Sequence, residues 1–343
     1  MMDLLKYSSR FLIFTFFLAT IVCCNPGPDS YVKNMSFGGA LGTSYSITYL
    51  TERELDIQSE IDSVFEVINH SMSTYIPDSD ISKINNGDAT VRVDQMFREV
   101  FELSQEVHAN TNGYFDPTVG ALVNAWGFGP GDIVKMDSSK VDSILQFVGL
   151  DKVRLNSDGT ITKKDPRIFM DFNAIAKGYA IDRLAILLDQ KDIGNYLIEV
   201  GGEIISKGEN KIKNKSWIVG IDDPQIEEGR RLKLTLQLAD KAMASSGNYR
   251  KFRVDSITGQ KYVHTIDPKT GYTRDSQILA VSVIANSCAK ADAYATAMMA
   301  MELPESKKVL NQQEELDAYI IYLEKDGEVA EFMTPGFKKL VVR

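Results

Sequence analysis

Two stretches of this 343-residue chain bring together groups that could do chemistry. In residues 289–301, Asp292 and Thr296 stand four apart among alanines, so on a helix they project from one face. A carboxylate and a hydroxyl are hard oxygen donors suited to a magnesium-like ion. Two oxygens alone are a weak metal signal, and the pair could as well satisfy each other or a nearby backbone group. The second stretch is Asp171-Phe172-Asn173-Ala174-Ile175-Ala176-Lys177-Gly178-Tyr179-Ala180-Ile181-Asp182. It reads as a strand end turning into a helix start, where unpaired N–H groups and partial positive charge suit an anion. Lys177 in the first turn opposes the helix dipole and so needs a reason to be there. An ordinary turn with a solvent-facing lysine explains these residues equally well. His264, one of 3 histidines, stands in an expected strand before a polar turn. A lone strand histidine is more often a packed or surface residue, the exceptions being those that face a cleft holding a cation or phosphate.

The elements that would position these groups follow from periodicity. Residues 167–170 form a short apolar run after Pro166 and read as a buried strand, and residues 176–188 carry apolar side chains at helical spacing. Tyr45, Ile47 and Tyr49 alternate with polar residues, which predicts a half-buried strand. Residues 55–70 and 95–110 are amphipathic helices, and Asp78 or Ser79 can cap a short helix through Ile84. Asp116-Pro117 is the expected start of another helix, leading into the glycine-flanked aromatics Trp126 and Phe128. Aromatics between glycines can form a stacking wall for a planar ring, or simply pack in the core. Beyond residue 195 the chain is strand-rich. Gly201-Gly202 marks a place where backbone can approach something closely, and the small polar run 242–249 is placed near a ligand. A final strand, the helix carrying Asp292, and two terminal strands close the pattern.

The N-terminus has its own character. Lys6 and Arg10 precede the apolar run 11–22, too short to span a bilayer comfortably, which ends at Cys23-Cys24 and a polar linker. This resembles a bacterial lipoprotein signal: a leader over 1–24 with Cys24 lipidated in preference to Cys23, a linker over 25–34, and one domain over 35–343. A cleaved signal without lipid and a retained anchor are the other options. The expected location is the bacterial cell envelope, as a membrane-anchored lipoprotein facing the periplasm. Cys288 is the one cysteine outside that region and reads as a packed core thiol, with no disulfide framework around it. The formal net charge of -9 leaves no basic footprint, so no nucleic-acid partner is expected.

The ordered motifs Leu41-Gly42-Thr43, Met72-Ser73-Thr74-Tyr75, Phe115-Asp116-Pro117-Thr118-Val119-Gly120, Trp126-Gly127-Phe128-Gly129, the 171–182 segment, Glu199-Val200-Gly201-Gly202, Ser245-Ser246-Gly247, His264-Thr265-Ile266-Asp267-Pro268 with Gly271, and Ala291-Asp292 with Thr296 resemble the ApbE family of FAD:protein FMN transferases. The resemblance covers nearly all of the chain after its leader. It implies an α/β (α+β) T-fold-like domain with mixed sheets and a flanking helical portion. It also implies a magnesium-dependent reaction in which a threonine or serine hydroxyl attacks the FMN-side phosphorus of FAD and AMP leaves. The implied acceptors are extracytoplasmic redox subunits of the Nqr/Rnf type. By the same resemblance, the Ala174 carbonyl with Asp292 and Thr296 would hold Mg2+. Leu41, Tyr75, Ala125, Trp126, Gly127, Asp171, Lys177 and Ile266 would line the FAD site, with Lys177 facing the pyrophosphate and His264 as base or positioner. Leu41 replaces a methionine frequent at that position in the family, a swap close in volume and polarity. Two other readings share parts of this site: a hydrolase cutting FAD to FMN and AMP, and a flavin-binding lipoprotein without chemistry.

Overall fold

The computed structural model describes residues 31–131, 133–224, 231–248, 252–254, 261–274 and 276–342. The leader and both of its cysteines lie outside them. The folded unit is Tyr31–Arg343, and its first strand begins at Val32, inside the stretch expected to be linker. Among the described residues no helix is long and apolar enough to cross a membrane.

In chain order the strands are β1 (Val32–Ala40), β2 (Thr43–Thr51), β3 (Val153–Leu155), β4 (Ile161–Lys163), β5 (Tyr196–Val200), β6 (Glu203–Lys207), β7 (Trp217–Asp222), β8 (Leu232–Leu238), β9 (Ala242–Gly247), β10 (Phe252–Val254), β11 (Lys261–Val263), β12 (Ile278–Ala285), β13 (Asp317–Leu323) and β14 (Val329–Met333). The helices are α1 (Gln58–Met72), α2 (Asp80–Asn85), α3 (Gln95–Asn110), α4 (Gly120–Ala125), α5 (Ser138–Leu145), α6 (Ala176–Gln190), α7 (Cys288–Ala300), α8 (Leu303–Gln312) and α9 (Pro335–Leu340). Eight strands form one sheet in the order β1-β2-β5-β6-β9-β12-β13-β14. The α/β class is as expected. The ladders among the described strands are antiparallel, so the sheet is not mixed in strand direction.

Alternation along the central strands explains why both sheet faces are covered. Val281, Val283 and Ala285 of β12 and Ala318 and Ile320 of β13 join the main core with α1, α3, α6 and α7. Their neighbours Ile284, Tyr319 and Ile321 point the other way, against Val219 and Ile221 of β7, Leu236 and Leu238 of β8, and Phe337 of α9. Cys288 is fully buried in the main core, as a packed thiol. A third, smaller cluster gathers Leu122, Trp126, Val141, Val148 and Ile266.

Three local expectations are corrected. Residues 167–170 are buried but not a strand: Ile168 and Met170 are fully enclosed, while Phe169 makes one bridge to Val119. The place of a neighbouring strand is taken by a side chain, because the Asn85 amide donates to the Met170 carbonyl (2.8 Å) and accepts its N–H (2.8 Å). Asp116-Pro117 does not open the next helix, which begins at Gly120. The Asp116 carboxylate instead closes a turn on Thr118 (N–H 2.8 Å, hydroxyl 2.6 Å) and takes the Leu150 N–H (3.0 Å). His264 lies one residue past β11, at a bend, and not inside a strand. The cap at Ser79 and the full span of α3 agree with their sequence patterns.

Helices α6 and α7 cross almost in backbone contact. A Cβ on Gly178 would stand 2.4 Å from the Cys288 carbonyl oxygen, so glycine is needed there. Asp182, one turn further along α6, accepts the first N–H groups of α7, from Cys288 (2.7 Å) and Ala289 (2.9 Å). One helix therefore caps the other. Burial pushes the Asp182 carboxyl up to about 6, against the pull of those N–H bonds. Between the unfolded value near 3.8 and the folded one, the native state holds the extra proton, so this group's contribution to stability is lost as pH rises through that window. Asp182→Asn is expected to flatten the decline, read as urea midpoints at about pH 4 and about pH 6.5. An unchanged slope would show that Asp182 titrates normally.

Candidate active site

The turn 171–175 and the first turn of α6 form the centre of the site. Asp171 is buried, and burial pushes its carboxyl up while the Asn173 N–H (2.7 Å) pulls it back. The Asp171 N–H donates to the Pro117 carbonyl (2.7 Å). Gly120 packs so closely here that a Cβ would fall 2.8 Å from the Phe169 carbonyl oxygen and 3.2 Å from the Asp171 Cβ. That contact seats the start of α4, the helix that leads to Ala125-Trp126-Gly127, against Asp171. Tyr75, in the loop after α1, is 59% exposed. Partial burial, and then the Asp171 carboxylate, push its phenol up.

Lys177 is not a solvent-facing side chain. It is half-buried, and its ammonium donates to Glu203, a buried residue at the start of β6. Burial alone would push Lys177 down, but Asp292 and then Glu203 outweigh it and hold the ammonium above the ordinary lysine range. Asp292 is buried on α7, and its Oδ2 accepts the Gly178 N–H (3.1 Å). Burial pushes its carboxyl up; Lys177 opposes this and Glu203 adds to it. One ammonium thus faces two buried carboxyls whose charged forms burial disfavours. A divalent cation bound beside them would favour those charged forms.

The donors available for that cation are specific. Because the Gly178 N–H goes to Asp292, the helical bond it would make to the Ala174 carbonyl is missing. Among the described residues no hydrogen bond ends on that oxygen, or on Asp292 Oδ1. The Thr296 hydroxyl has one long contact, with Ser246 Oγ at 3.5 Å. Asp292 and Thr296 therefore do not satisfy each other, and the three oxygens fit a hard magnesium-like ion. No group of three or more His, Cys, Asp or Glu side chains placed to hold a metal occurs among the described residues.

The remaining expected residues arrive by two further routes. Ile266 packs with Trp126 in the small third cluster, and the Trp126 indole N–H donates to the Gly271 carbonyl (2.9 Å). Trp126 is only 5% exposed, so its ring packs in that cluster and does not present an open stacking face. Nearby, Tyr272 is 42% exposed with its ring centroid 6.4 Å from that of Trp126, and the Tyr75 ring is exposed as well. The one signal of Tyr272 in the sequence is its place after the turn glycine Gly271. Ala125 is buried, and Gly127 (φ 82°) turns the chain under Ile133. His264 is half-buried directly before the tied segment in which the Thr265 hydroxyl meets Asn248 Oδ1 (2.7 Å), the Arg274 N–H meets the Thr265 carbonyl (2.8 Å), and Ile266 pairs with Thr273.

Leu41 takes a left-handed conformation (φ 51°) beside Gly42 in the β1–β2 turn and packs on the main core. The neighbouring β5–β6 turn, Gly201-Gly202, touches that hairpin: a Cβ on Gly201 would stand 2.8 Å from the Thr43 side chain. The close approach expected here is thus made by Gly201 alone, to Thr43, since a Cβ on Gly202 would meet nothing within 4 Å. Glu203, the next residue, is the partner the sequence reading missed.

The ApbE family model matches residues 41–320. The FAD:protein FMN transferase of Haemophilus influenzae is 31% identical over 316 residues, covering 88% of this chain and 90% of that protein. The enzyme of the same description from Vibrio cholerae is 31% identical over 310 residues, with 88% and 90% covered. The solved flavin transferase ApbE from Vibrio cholerae superposes with a TM-score of 0.80 at 30% identity, covering 91% of this chain and 100% of that one. The Thermotoga maritima ApbE protein gives a TM-score of 0.78 at 27% identity, with 92% and 100% covered.

Proposed function

This chain belongs to the ApbE family and is a flavin transferase that takes its flavin from FAD; on that premise we propose that it moves FMN from FAD to a serine or threonine hydroxyl of an extracytoplasmic redox subunit of the Nqr/Rnf type, with magnesium present and AMP released. The observation that carries this reading is the oxygen set at the α6–α7 crossing. A helix start gives up one of its own backbone bonds so that Asp292 can hold Gly178, leaving the Ala174 carbonyl open beside it. A magnesium ion held by Ala174, Asp292 and Thr296 would supply Lewis-acid stabilisation of the charge that builds up at phosphorus.

The chain's own residues supply the rest. Asp171 and Tyr75 border the flavin side, with Trp126 and Ile266 packed behind them. Lys177, held by Glu203, presents its ammonium where the pyrophosphate lies. His264 accepts the proton of the incoming hydroxyl as its oxygen bonds to the FMN-side phosphorus. The bond from that phosphorus to the AMP oxygen breaks, and FMN stays on the acceptor as a phosphoester. The reading is tested by following AMP: release should require the acceptor protein, and release at the same rate without it would make the chain an FAD hydrolase.

The location is part of the proposal, supported by the basic, apolar and Cys23-Cys24 pattern of the leader. Replacing Cys23 and Cys24 together by serine is expected to release a soluble exported protein with unchanged transfer activity. Wild-type protein recovered wholly soluble after export, without an acylated N-terminus, would refute the anchor.

A further inference from the structure

Glu203 is 3% exposed, and only one of its carboxylate oxygens is used. Oε1 meets the Lys177 ammonium, whereas Oε2 is buried and, among the described residues, has no hydrogen-bond partner. A carboxylate oxygen left bare in the interior is costly, and side-chain rearrangement would ordinarily remove it. Here the backbone allows little rearrangement. Glu203 is paired with Val200 across the β5–β6 turn, both turn glycines have positive φ (62° and 103°), and Gly201 abuts Thr43. The following residue, Ile204, is already paired with Met243 of β9. The side chain is therefore held beside Lys177, with one acceptor to spare.

We propose that Glu203 Oε2 is a substrate-binding group that accepts a hydrogen bond from an aliphatic hydroxyl brought into the site. The proposal rests on the flavin-transfer reading above. Next to a lysine that faces the pyrophosphate, such a hydroxyl comes either from the sugar or ribityl chain of FAD or from the incoming serine or threonine. A carboxylate suits either source, since it can only accept and a hydroxyl must donate. It also disfavours a further phosphate oxygen at this spot, because two anions would meet.

The test is Glu203→Gln, which keeps the volume and an oxygen for Lys177 but puts an amide N–H2, a donor, where Oε2 was. Three quantities are measured with magnesium present: affinity for FAD, affinity for inorganic pyrophosphate, and the rate of FMN transfer to an acceptor. Pyrophosphate carries no aliphatic hydroxyl, so it reports on Lys177, the start of α6 and the metal-holding oxygens but not on a hydroxyl acceptor. If the hydroxyl belongs to FAD, FAD affinity should fall about ten- to hundredfold while pyrophosphate affinity holds. If it belongs to the acceptor, both affinities should hold and transfer should slow by a similar factor. Equal losses for FAD and pyrophosphate would overturn the proposal, making Glu203 a support for Lys177 only. No change in any of the three would overturn it as well. Should Glu203→Gln alone fail to fold, Glu203→Gln with Lys177→Met removes both charges, and the ratio of FAD to pyrophosphate affinity is compared with that of wild type. Failure of the wild type to bind FAD or to transfer FMN would sink the underlying reading before any variant is made.

Discussion

Asp292→Ala is expected to reduce FMN transfer by about three powers of ten or more while the protein remains folded. The size follows from the several kcal/mol that a Lewis acid supplies to charge at phosphorus, with each factor of ten worth about 1.4 kcal/mol. The fold should survive because Asp292 is a buried carboxylate whose charged form is disfavoured by burial and by Glu203. Its removal leaves Lys177 paired with Glu203 and frees the Gly178 N–H to return to the Ala174 carbonyl. Magnesium should raise the melting temperature of the wild type and leave that of the variant unmoved. Full transfer by the variant in the presence of a chelator would show the metal assignment to be wrong.

His264→Ala should separate chemistry from binding. FAD affinity should stay nearly intact, since Lys177, the start of α6 and the metal-holding oxygens remain. The transfer step should slow by about two to four powers of ten, the usual worth of a positioned acid–base group. Neutral imidazole is the form that accepts a proton, so wild-type activity should fall toward acid pH and the variant should lose that acidic limb. Fluorescence titration of FAD and the rate of AMP release with acceptor give both quantities. A loss of FAD affinity in proportion to the loss of rate would instead make His264 a binding residue.

What could be read along the chain was whatever depends on near neighbours. The alternation of Tyr45, Ile47 and Tyr49 gave β2, the amphipathic pattern of residues 95–110 gave α3, and the i, i+4 spacing of Asp292 and Thr296 put both on one helix. What could not be read depends on contacts far apart in sequence. Asn85 completes the backbone of Met170 across 85 positions, so an apolar run that looked like a strand needs no strand beside it. Asp182 caps a helix that begins more than 100 residues later, and nothing in its own surroundings marks it as a cap. Near neighbours leave Lys177 open to two readings, an anionic ligand or solvent, and neither includes a carboxylate partner. Its partner Glu203 lies 26 residues on, one position beyond the Gly201-Gly202 pair that reads as a place of close backbone approach. Trp126 packs in a core cluster, the commoner outcome for a glycine-flanked aromatic, but that Ile266 and Gly271 from a distant loop enclose it is not written near it in the chain.

The most direct measurement is mass spectrometry of a candidate acceptor protein after incubation with FAD, magnesium and this chain. The account predicts that one serine or threonine gains the mass of FMN less one water, in step with the AMP released, and that neither product forms with Asp292→Ala. An unmodified acceptor, with FMN and AMP both free in solution, would contradict it.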